Sequence, residues 1–372
     1  MSYNIFIAVV VLLATAWPQS DTLPRRAFFG VALEKTADGV RVSGVSPDST
    51  AAASGIVIGD LIQAVDGRTT DTTEAVIAAV LQHKAGDPVR ISFLRAGTGR
   101  TIEATLKSLP FEQMANSTVT YGSVASSPGV NLRTIVSVPN GQPGVRYPAV
   151  LLLQGGGCGS IDSPFNVTLA QPGLVHAVGS KGFVTMRVEK SGVGDSGGPP
   201  CDSIGFREEL AGYRAAFDAL RAHPSVDSRK IYLIGISLGG VFAPLLAAET
   251  NVAGIIVYGT PAMPPPPYPG RSERFFKEFA AVDVSGAWSR VASRVLVLHG
   301  EYDVDPVISR EVHESIARMV SAGKGSAEFH ELAGLDHCWT RHASLEASKD
   351  KCGQGEETPV FVNAVLDFLR KG

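Results

Sequence analysis

Two serines in this sequence stand in the pattern G-x-S-x-G: Gly194-Asp195-Ser196-Gly197-Gly198 and Gly235-Ile236-Ser237-Leu238-Gly239. A serine hydroxyl is a poor nucleophile at neutral pH. It attacks a carbonyl only with a base within hydrogen-bond reach and a carboxylate that orients the base. The pattern alone does not choose between the two, but context does. The small residues allow a tight turn between a buried strand and a helix, so a strand must precede the serine and a helix must follow it. Residues 231–234 are an apolar run directly before Gly235, and residues 240–248 read as a helix with Pro244 near its start. Ser237 is the candidate nucleophile. Gly197-Gly198-Pro199-Pro200 follows Ser196 and cannot open a regular helix, so residues 190–198 read as a glycine-rich loop beside a site.

In an architecture of alternating strands and helices with the serine at a strand-to-helix turn, the expected order is nucleophile, then an acid past a late strand, then a base past the last strand. Residues 295–298 form an apolar run that leads into His299-Gly300-Glu301-Tyr302-Asp303-Val304-Asp305-Pro306. Asp303 is the candidate acid, with Asp305 and Glu301 as alternatives. Asp305 before Pro306 also suits a helix cap. Residues 327–332 read as the last strand, and His337 in the loop beyond is the candidate base. His330 within that strand, His342 and His299 read as structural. His83, His176, His223 and His313 have no partner recognisable in the sequence. An oxyanion needs backbone N–H donors. Leu238, after the nucleophile, supplies one. Gly156, in the glycine-rich turn 154–159, supplies the other, with Gly155 next in line. That turn lacks the Lys-Ser/Thr of a phosphate-binding loop.

The chain has 372 residues, enough for two domains. A net charge of -3 gives no electrostatic case for nucleic acid or an anionic membrane. With 44% hydrophobic and 19% charged residues the composition is that of a globular protein with a sizeable core. Residues 1–20 carry no charge, and 5–16 are almost wholly apolar. This run is short for a membrane span and ends in Ala14-Thr15-Ala16, an A-x-A cleavage pattern. No Lys or Arg precedes it. Residues 1–16 are therefore expected to be a signal peptide, and the protein to be exported to the periplasm or beyond. A retained N-terminal membrane anchor and a buried strand are the alternatives, and no stable span is expected after cleavage. The cysteines are Cys158, Cys201, Cys338 and Cys352. None forms a C-x-x-C pair, so no zinc site is expected. In an oxidising compartment Cys158–Cys201 and Cys338–Cys352 are the expected disulfides, against four unpaired thiols.

Two regions differ in pattern. Residues 26–108 contain short strands at 28–33, 39–42, 59–67 and 89–94, a small-residue helix start at 51–55 and an amphipathic helix over 72–83. Residues 109–118 read as a linker. Beyond it, short continuous apolar runs at 149–153, 183–188, 231–234, 254–258 and 295–298 alternate with helical stretches such as 207–222. Such runs fit a mostly parallel sheet covered on both faces, a doubly wound α/β fold.

Residues 26–108 resemble a bacterial PDZ domain in Phe28-Phe29-Gly30-Val31, Ala53-Ser54-Gly55-Ile56, Gly59-Asp60 and Asp66-Gly67. The resemblance implies binding of an extended peptide, usually a C-terminus, with Phe28, Phe29 and Gly30 as the carboxylate loop. A unit that only packs against its neighbour is the alternative. Residues 119–372 resemble an α/β-hydrolase-fold enzyme of the esterase and serine-aminopeptidase type. The motifs are the glycine-rich loop, Gly192-Val193-Gly194-Asp195-Ser196, the turn at 235–239 and the pair Asp303 and His337. Gln154 departs from the family, which often has His there. A Cys158–Cys201 bridge would stiffen the oxyanion loop. Gly194-Asp195-Ser196-Gly197-Gly198-Pro199 also resembles trypsin-like proteases, but those are all-β and place His and Asp before Ser. The resemblance implies acyl transfer to water without metal or organic cofactor. The expected function is a secreted carboxylic-ester hydrolase, with a serine peptidase and a non-catalytic PDZ binding protein as alternatives. Residues 261–290 stand where a lid is usual, and Phe275, Phe276 and Phe279 either line an acyl pocket or cover the core.

Overall fold

The computed structural model describes residues 23–372 except 143, 166–169 and 265. The expected signal peptide, residues 1–16, lies outside the described residues.

The N-terminal unit contains β1 (Ala27–Phe28), β2 (Val31–Thr36), β3 (Gly39–Val45), α1 (Thr50–Ala53), β4 (Leu61–Val65), β5 (Arg68–Thr69), α2 (Thr73–Leu81), β6 (Pro88–Arg95), β7 (Thr98–Thr105) and β8 (Lys107–Ser108). Strands β2-β3-β4-β6-β7 lie side by side, with β5 paired to β4. Val40, Val42, Ile62, Val65, Ile91 and Phe93 point to one core, which Val76 and Val80 of α2 close. The single strand expected over 28–33 is in fact two. β1 pairs with β8 in a separate ribbon, and β2 begins the main sheet. Gly30 makes the break. Its φ is +83°, and a Cβ there would lie 2.2 Å from Ser49 Cβ, so only glycine passes.

The larger unit contains β9 (Ser117–Ser127), β10 (Val130–Pro139), β11 (Tyr147–Leu153), α3 (Ala170–Gly179), β12 (Val184–Val188), α4 (Phe206–Ala222), β13 (Val226–Ile236), α5 (Gly239–Glu249) and β14 (Gly254–Tyr258). After these come α6 (Glu273–Ala280), α7 (Val284–Arg290), β15 (Arg294–Gly300), α8 (Arg310–Ala322), β16 (Ser326–Leu332), the short β17 (Thr340–Arg341), α9 (Leu345–Ser348), the short β18 (Glu356–Glu357) and α10 (Val360–Arg370). The eight-stranded sheet runs β16-β15-β14-β13-β11-β12-β10-β9. All pairings from β12 through β11 to β16 are parallel, and β9 and β10 are antiparallel at one edge.

Alternation along each strand feeds two cores. Leu151 and Leu153 face α4 and α5, with α6, α7 and α8 closing that side. Val150 and Leu152 face α3 and α10. Helix α4 shows why these segments are helical: Leu210, Tyr213, Phe217 and Leu220 are buried at spacings of three and four, one face of a helix. Phe275, Phe276 and Phe279 of α6 are buried in the first core, where Phe206 stacks on Phe242 and Phe279. They cover the core. The order reverses at β11, which follows β10 in the chain but lies beyond β12 in the sheet. Such a switch point opens a crevice at the carboxyl ends of the strands, where ligands bind in open α/β sheets.

The two units meet at a buried ionic joint. Arg25 Nη1 donates to Asp162 at 2.6 Å and to Asp195 at 2.5 Å, and its guanidinium lies over the Tyr121 ring. Arg26 N donates to Asp195 Oδ1 at 2.8 Å, and Arg133 Nε to Asp195 Oδ2 at 3.1 Å. The segment joining the units is anchored too, with Glu112 buried against Arg187 at 2.6 Å.

Candidate active site

Ser237 sits between the end of β13 and the start of α5, with φ at +52°. A non-glycine residue in this region is strained and is held by its surroundings. Ser237 N donates to Tyr258 O at 2.8 Å, and the Ser237 carbonyl accepts from Gly240 N at 3.0 Å and Thr260 Oγ1 at 3.2 Å. The flanking glycines answer to crowding. A Cβ on Gly239 would lie 2.0 Å from Leu153 O, and one on Gly235 would lie 2.5 Å from Gly240 Cα. His313, whose partners are invisible in the sequence, supports the turn from behind. Its Nε2 accepts from Thr260 N at 2.9 Å and its Nδ1 donates to Ser309 O at 2.9 Å. Burial pushes its pKa down to about 4, so the ring is neutral, as that pattern of one donor and one acceptor requires.

Asp303 follows β15 and is buried, and its Oδ2 accepts from His337 Nδ1 at 2.7 Å. The other two carboxylates of this loop are engaged elsewhere. Asp305 caps the turn at Pro306–Ile308 through Val307 N, and Glu301 accepts from Gly334 N at 2.7 Å. His299 Nε2 lies 3.0 Å from the Asp303 carbonyl, a packing role behind the loop. Burial opposes a charge on His337, but the hydrogen bond and negative charge of Asp303, with Asp305 and Asp336 further off, outweigh it and raise the pKa above the ordinary histidine value.

The His337 loop is pinned at both ends. Asp336 accepts from Cys338 N, Thr340 N, Thr340 Oγ1, Gly353 N and His342 Nε2, all at 3.0 Å or less. The Cys338–Cys352 disulfide closes the same loop. His342 is thus structural, while His330 faces solvent beside Glu328 on β16.

Gly155, Gly156, Ser237, Leu238, Asp303 and His337 line one cleft of about 600 Å3. Among the described residues no acceptor takes the N–H of Leu238 or of Gly156. The glycine turn is held from the far side by groups that sequence reasoning missed. Lys190 Nζ donates to Gly155 O at 2.5 Å and to Gly157 O at 3.0 Å, and Arg271 Nε donates to Gly156 O at 2.8 Å. Glu209 of α4 pairs with both cations, at 3.0 Å and 2.7 Å. Burial pulls the Lys190 pKa down to about 8, against the opposing pull of Glu209. Gln154 Nε2 donates to Val188 O at 2.9 Å, tying the turn to β12. The Cys158–Cys201 disulfide holds the turn's far end. No local signal marks Lys190, Glu209 and Arg271, because the residues lie on three separate elements and form a cluster only once folded.

Ser196 lies apart from this cleft. Its Oγ accepts from Arg133 N at 2.9 Å, and the neighbouring Asp195 belongs to the joint with Arg25. In the N-terminal unit, the carbonyls of Phe28, Phe29 and Gly30 accept from Thr50 Oγ1, Ala51 N and Ser46 N at 2.7, 2.8 and 2.9 Å. Phe29 is buried, and the Phe28 ring stacks on Phe165 of the larger unit at 5.1 Å. β2 is an edge strand of its sheet, with α2 packed nearby. Among the described residues no helix is long and apolar enough to cross a membrane.

The fold and cleft define the class of molecule: an α/β-hydrolase fold preceded by a PDZ domain. Residues 27–106 match the PDZ domain family model PDZ_2. The structure is similar to that of the alpha/beta hydrolase GrgF from Penicillium sp. sh18, with a TM-score of 0.50 and 14% identity over 68% of this chain and 98% of that one. In sequence, the chain is similar to the magnetosome formation protease MamE of Paramagnetospirillum magneticum, 30% identical over 47% of this chain and 24% of that protein. It is also similar to the esterase EstD of Thermotoga maritima, 23% identical over 35% of this chain and 30% of that protein. The chain spans a third or less of the length of the curated relatives it matches.

Proposed function

We propose that this chain is an exported serine hydrolase that cleaves carboxylic esters, with Ser237 as nucleophile, His337 as base and Asp303 as its orienting carboxylate. One observation carries the reading: an elbow serine at φ +52° shares a cleft with an imidazole bonded at 2.7 Å to a buried carboxylate. His337 takes the Ser237 proton as Oγ adds to the ester carbonyl, whose π electrons move onto oxygen. The N–H groups of Leu238 and Gly156 receive that oxyanion. Collapse expels the alcohol, which takes the proton from His337 and leaves acyl-Ser237. Water, deprotonated by the same ring, then adds to the acyl carbon, releases the carboxylic acid and restores the serine. The likeness to an esterase supports the ester class, and the two disulfides support an oxidising compartment.

The PDZ domain is read as taking a peptide C-terminus along β2, its carboxylate at Phe28-Phe29-Gly30. The domain limits are taken as 26–108 and 119–372, joined by 109–118, with 261–290 inserted between late strands. A second reading, a peptidase to which the PDZ domain delivers a peptide, is favoured by the presence of that domain and by the likeness to a protease. Hydrolysis of short-chain p-nitrophenyl esters by wild type, Ser237→Ala and Ser196→Ala tests the proposal. Turnover is expected to vanish in Ser237→Ala and persist in Ser196→Ala. The reverse result would refute the site assignment, and cleavage of peptide anilides without ester turnover would favour the second reading.

A further inference from the structure

A trans peptide plane carries its C=O and the following N–H on opposite sides. Whatever grips the carbonyl of one residue therefore aims the N–H of the next. In the turn after β11 every carbonyl from Gln154 to Gly157 is gripped: Gln154 O by the Tyr213 hydroxyl at 3.4 Å, Gly155 O and Gly157 O by Lys190, and Gly156 O by Arg271. The Gly156 N–H shares its plane with the Gly155 carbonyl that Lys190 holds at 2.5 Å. Gly155, Gly156 and Gly157 line the cleft together with Ser237, and a Cβ on Gly155 would lie 3.3 Å from Ser237 Cβ.

Burying two cations is costly unless they are paired and hydrogen-bonded. Here Glu209 bridges both, and Lys190 Nζ and Arg271 Nε also donate to backbone oxygens of the turn, while the buried Arg271 Nη2 takes no hydrogen-bond partner among the described residues. Arg271 Nη1 also donates to Cys201 O at 3.3 Å, beside the disulfide that anchors the turn. The side chains of Lys190, Arg271 and Glu209 are 1%, 0% and 2% exposed, so water does not serve in their place. A triplet of two cations and one carboxylate leaves a net positive charge beneath the cleft.

We propose that Lys190, Arg271 and Glu209 are positioning residues that lock the glycine turn with its N–H groups aimed at the oxyanion, Lys190 aiming Gly156 and Arg271 aiming Gly157. This rests on Ser237 being the nucleophile. The lock acts on the transition state, not on substrate binding, so its removal lowers kcat and leaves KM largely alone. Removing an oxyanion donor outright costs about 10²- to 10³-fold in kcat, so misaiming it in Lys190→Met is expected to cost roughly 10- to 100-fold.

The test compares p-nitrophenyl butyrate turnover by wild type, Ser237→Ala, Lys190→Met and Arg271→Lys. It adds binding of a trifluoromethyl ketone, which forms an oxyanion with the serine, and of the matched secondary alcohol, which cannot. In Lys190→Met, kcat and ketone affinity are expected to fall by the same factor, with KM and alcohol affinity within about threefold of wild type. A folded Lys190→Met that keeps kcat and ketone affinity overturns the proposal, as does an equal loss of ketone and alcohol affinity. Should Lys190→Met lose its near-UV circular dichroism, Arg271→Lys decides. This variant keeps the charge but shortens the reach to Gly156 O, so a kcat loss with KM retained supports the lock, and unchanged kcat overturns it. Turnover surviving in Ser237→Ala removes the nucleophile and the inference with it. Turnover lost in Ser237→Ala but kept in the other two removes the inference alone.

Discussion

His337 carries two demands. As the proposed base it must be neutral to accept a proton, and its raised pKa makes it easier to charge than a free histidine. Activity that needs the neutral ring is therefore full at high pH and falls as pH drops through a midpoint above the ordinary value of about 6.5. A kcat/KM profile with its acid limb below 6 would argue against His337 as base. Asp303 is the group that raises that midpoint and fixes the ring, since His337 Nδ1 is committed to it. Asp303→Asn is expected to lower kcat roughly 10⁴-fold and to move the acid limb down. Asp305→Ala is the contrast. It removes a cap from Val307 N, which costs about 1 kcal/mol of stability and leaves kcat within a few-fold. If the two variants trade places in a pH-rate experiment, the acid has been misassigned.

At the scale of elements, site residues sit on loops at the carboxyl ends of neighbouring strands, and disulfides fix two of those loops. Cys338 and Cys352 are 14 residues apart and enclose the turn after His337. Replacing both with serine is expected to cost about 3 kcal/mol, from the loop-closure entropy returned to the unfolded chain. A urea midpoint unchanged by the double substitution would show that the Asp336 hydrogen bonds hold the loop unaided. Much of this layer is legible in the sequence. The strands of the parallel sheet are continuous apolar runs because both faces are covered, and the serine elbow shows in its glycines. β9 escapes because at the sheet edge its residues are mostly half-buried and mixed in polarity, and β10 escapes because it buries the polar Arg133, Thr134 and Ser137 among its apolar residues. The split of residues 28–33 escapes as well, because the contact between Gly30 and Ser49 spans the fold rather than the local chain. The charges under the glycine turn escape for the same reason, since Lys190 and Arg271 converge only in the folded chain.

At the scale of the molecule, Arg25 is the residue on which the two units turn. It satisfies Asp162 and Asp195 in a site where the carboxylates are 2% and 1% exposed. Arg25→Met is expected to destabilise by about 3 kcal/mol, at the low end for a broken buried pair because Tyr121, Arg26 and Arg133 retain contacts with the two carboxylates. A double-mutant cycle with Asp162→Asn, read from urea midpoints, should show coupling, and strict additivity would contradict the joint. Glu112 adds a pH dependence. Burial raises its pKa, but the hydrogen bonds and charge of Arg187 outweigh this and hold it below the usual range. Its contribution is therefore complete above about pH 4.5 and drains as pH falls through the lower folded value.

Asp195, which holds Arg25, lies inside the run Gly194-Asp195-Ser196-Gly197-Gly198, the serine motif that does not reach the cleft. The same arginine stands two positions before the PDZ strand β1. The two halves of this chain are consequently not interchangeable cassettes. A lineage that traded the PDZ half together with Arg25 would leave Asp162 and Asp195, in the interior of the half it kept, with only Tyr121 and Arg133 of the partners named above. Descent should therefore have passed on the arginine and its two aspartates as one heritable unit that straddles the boundary at which a gene fusion would be drawn.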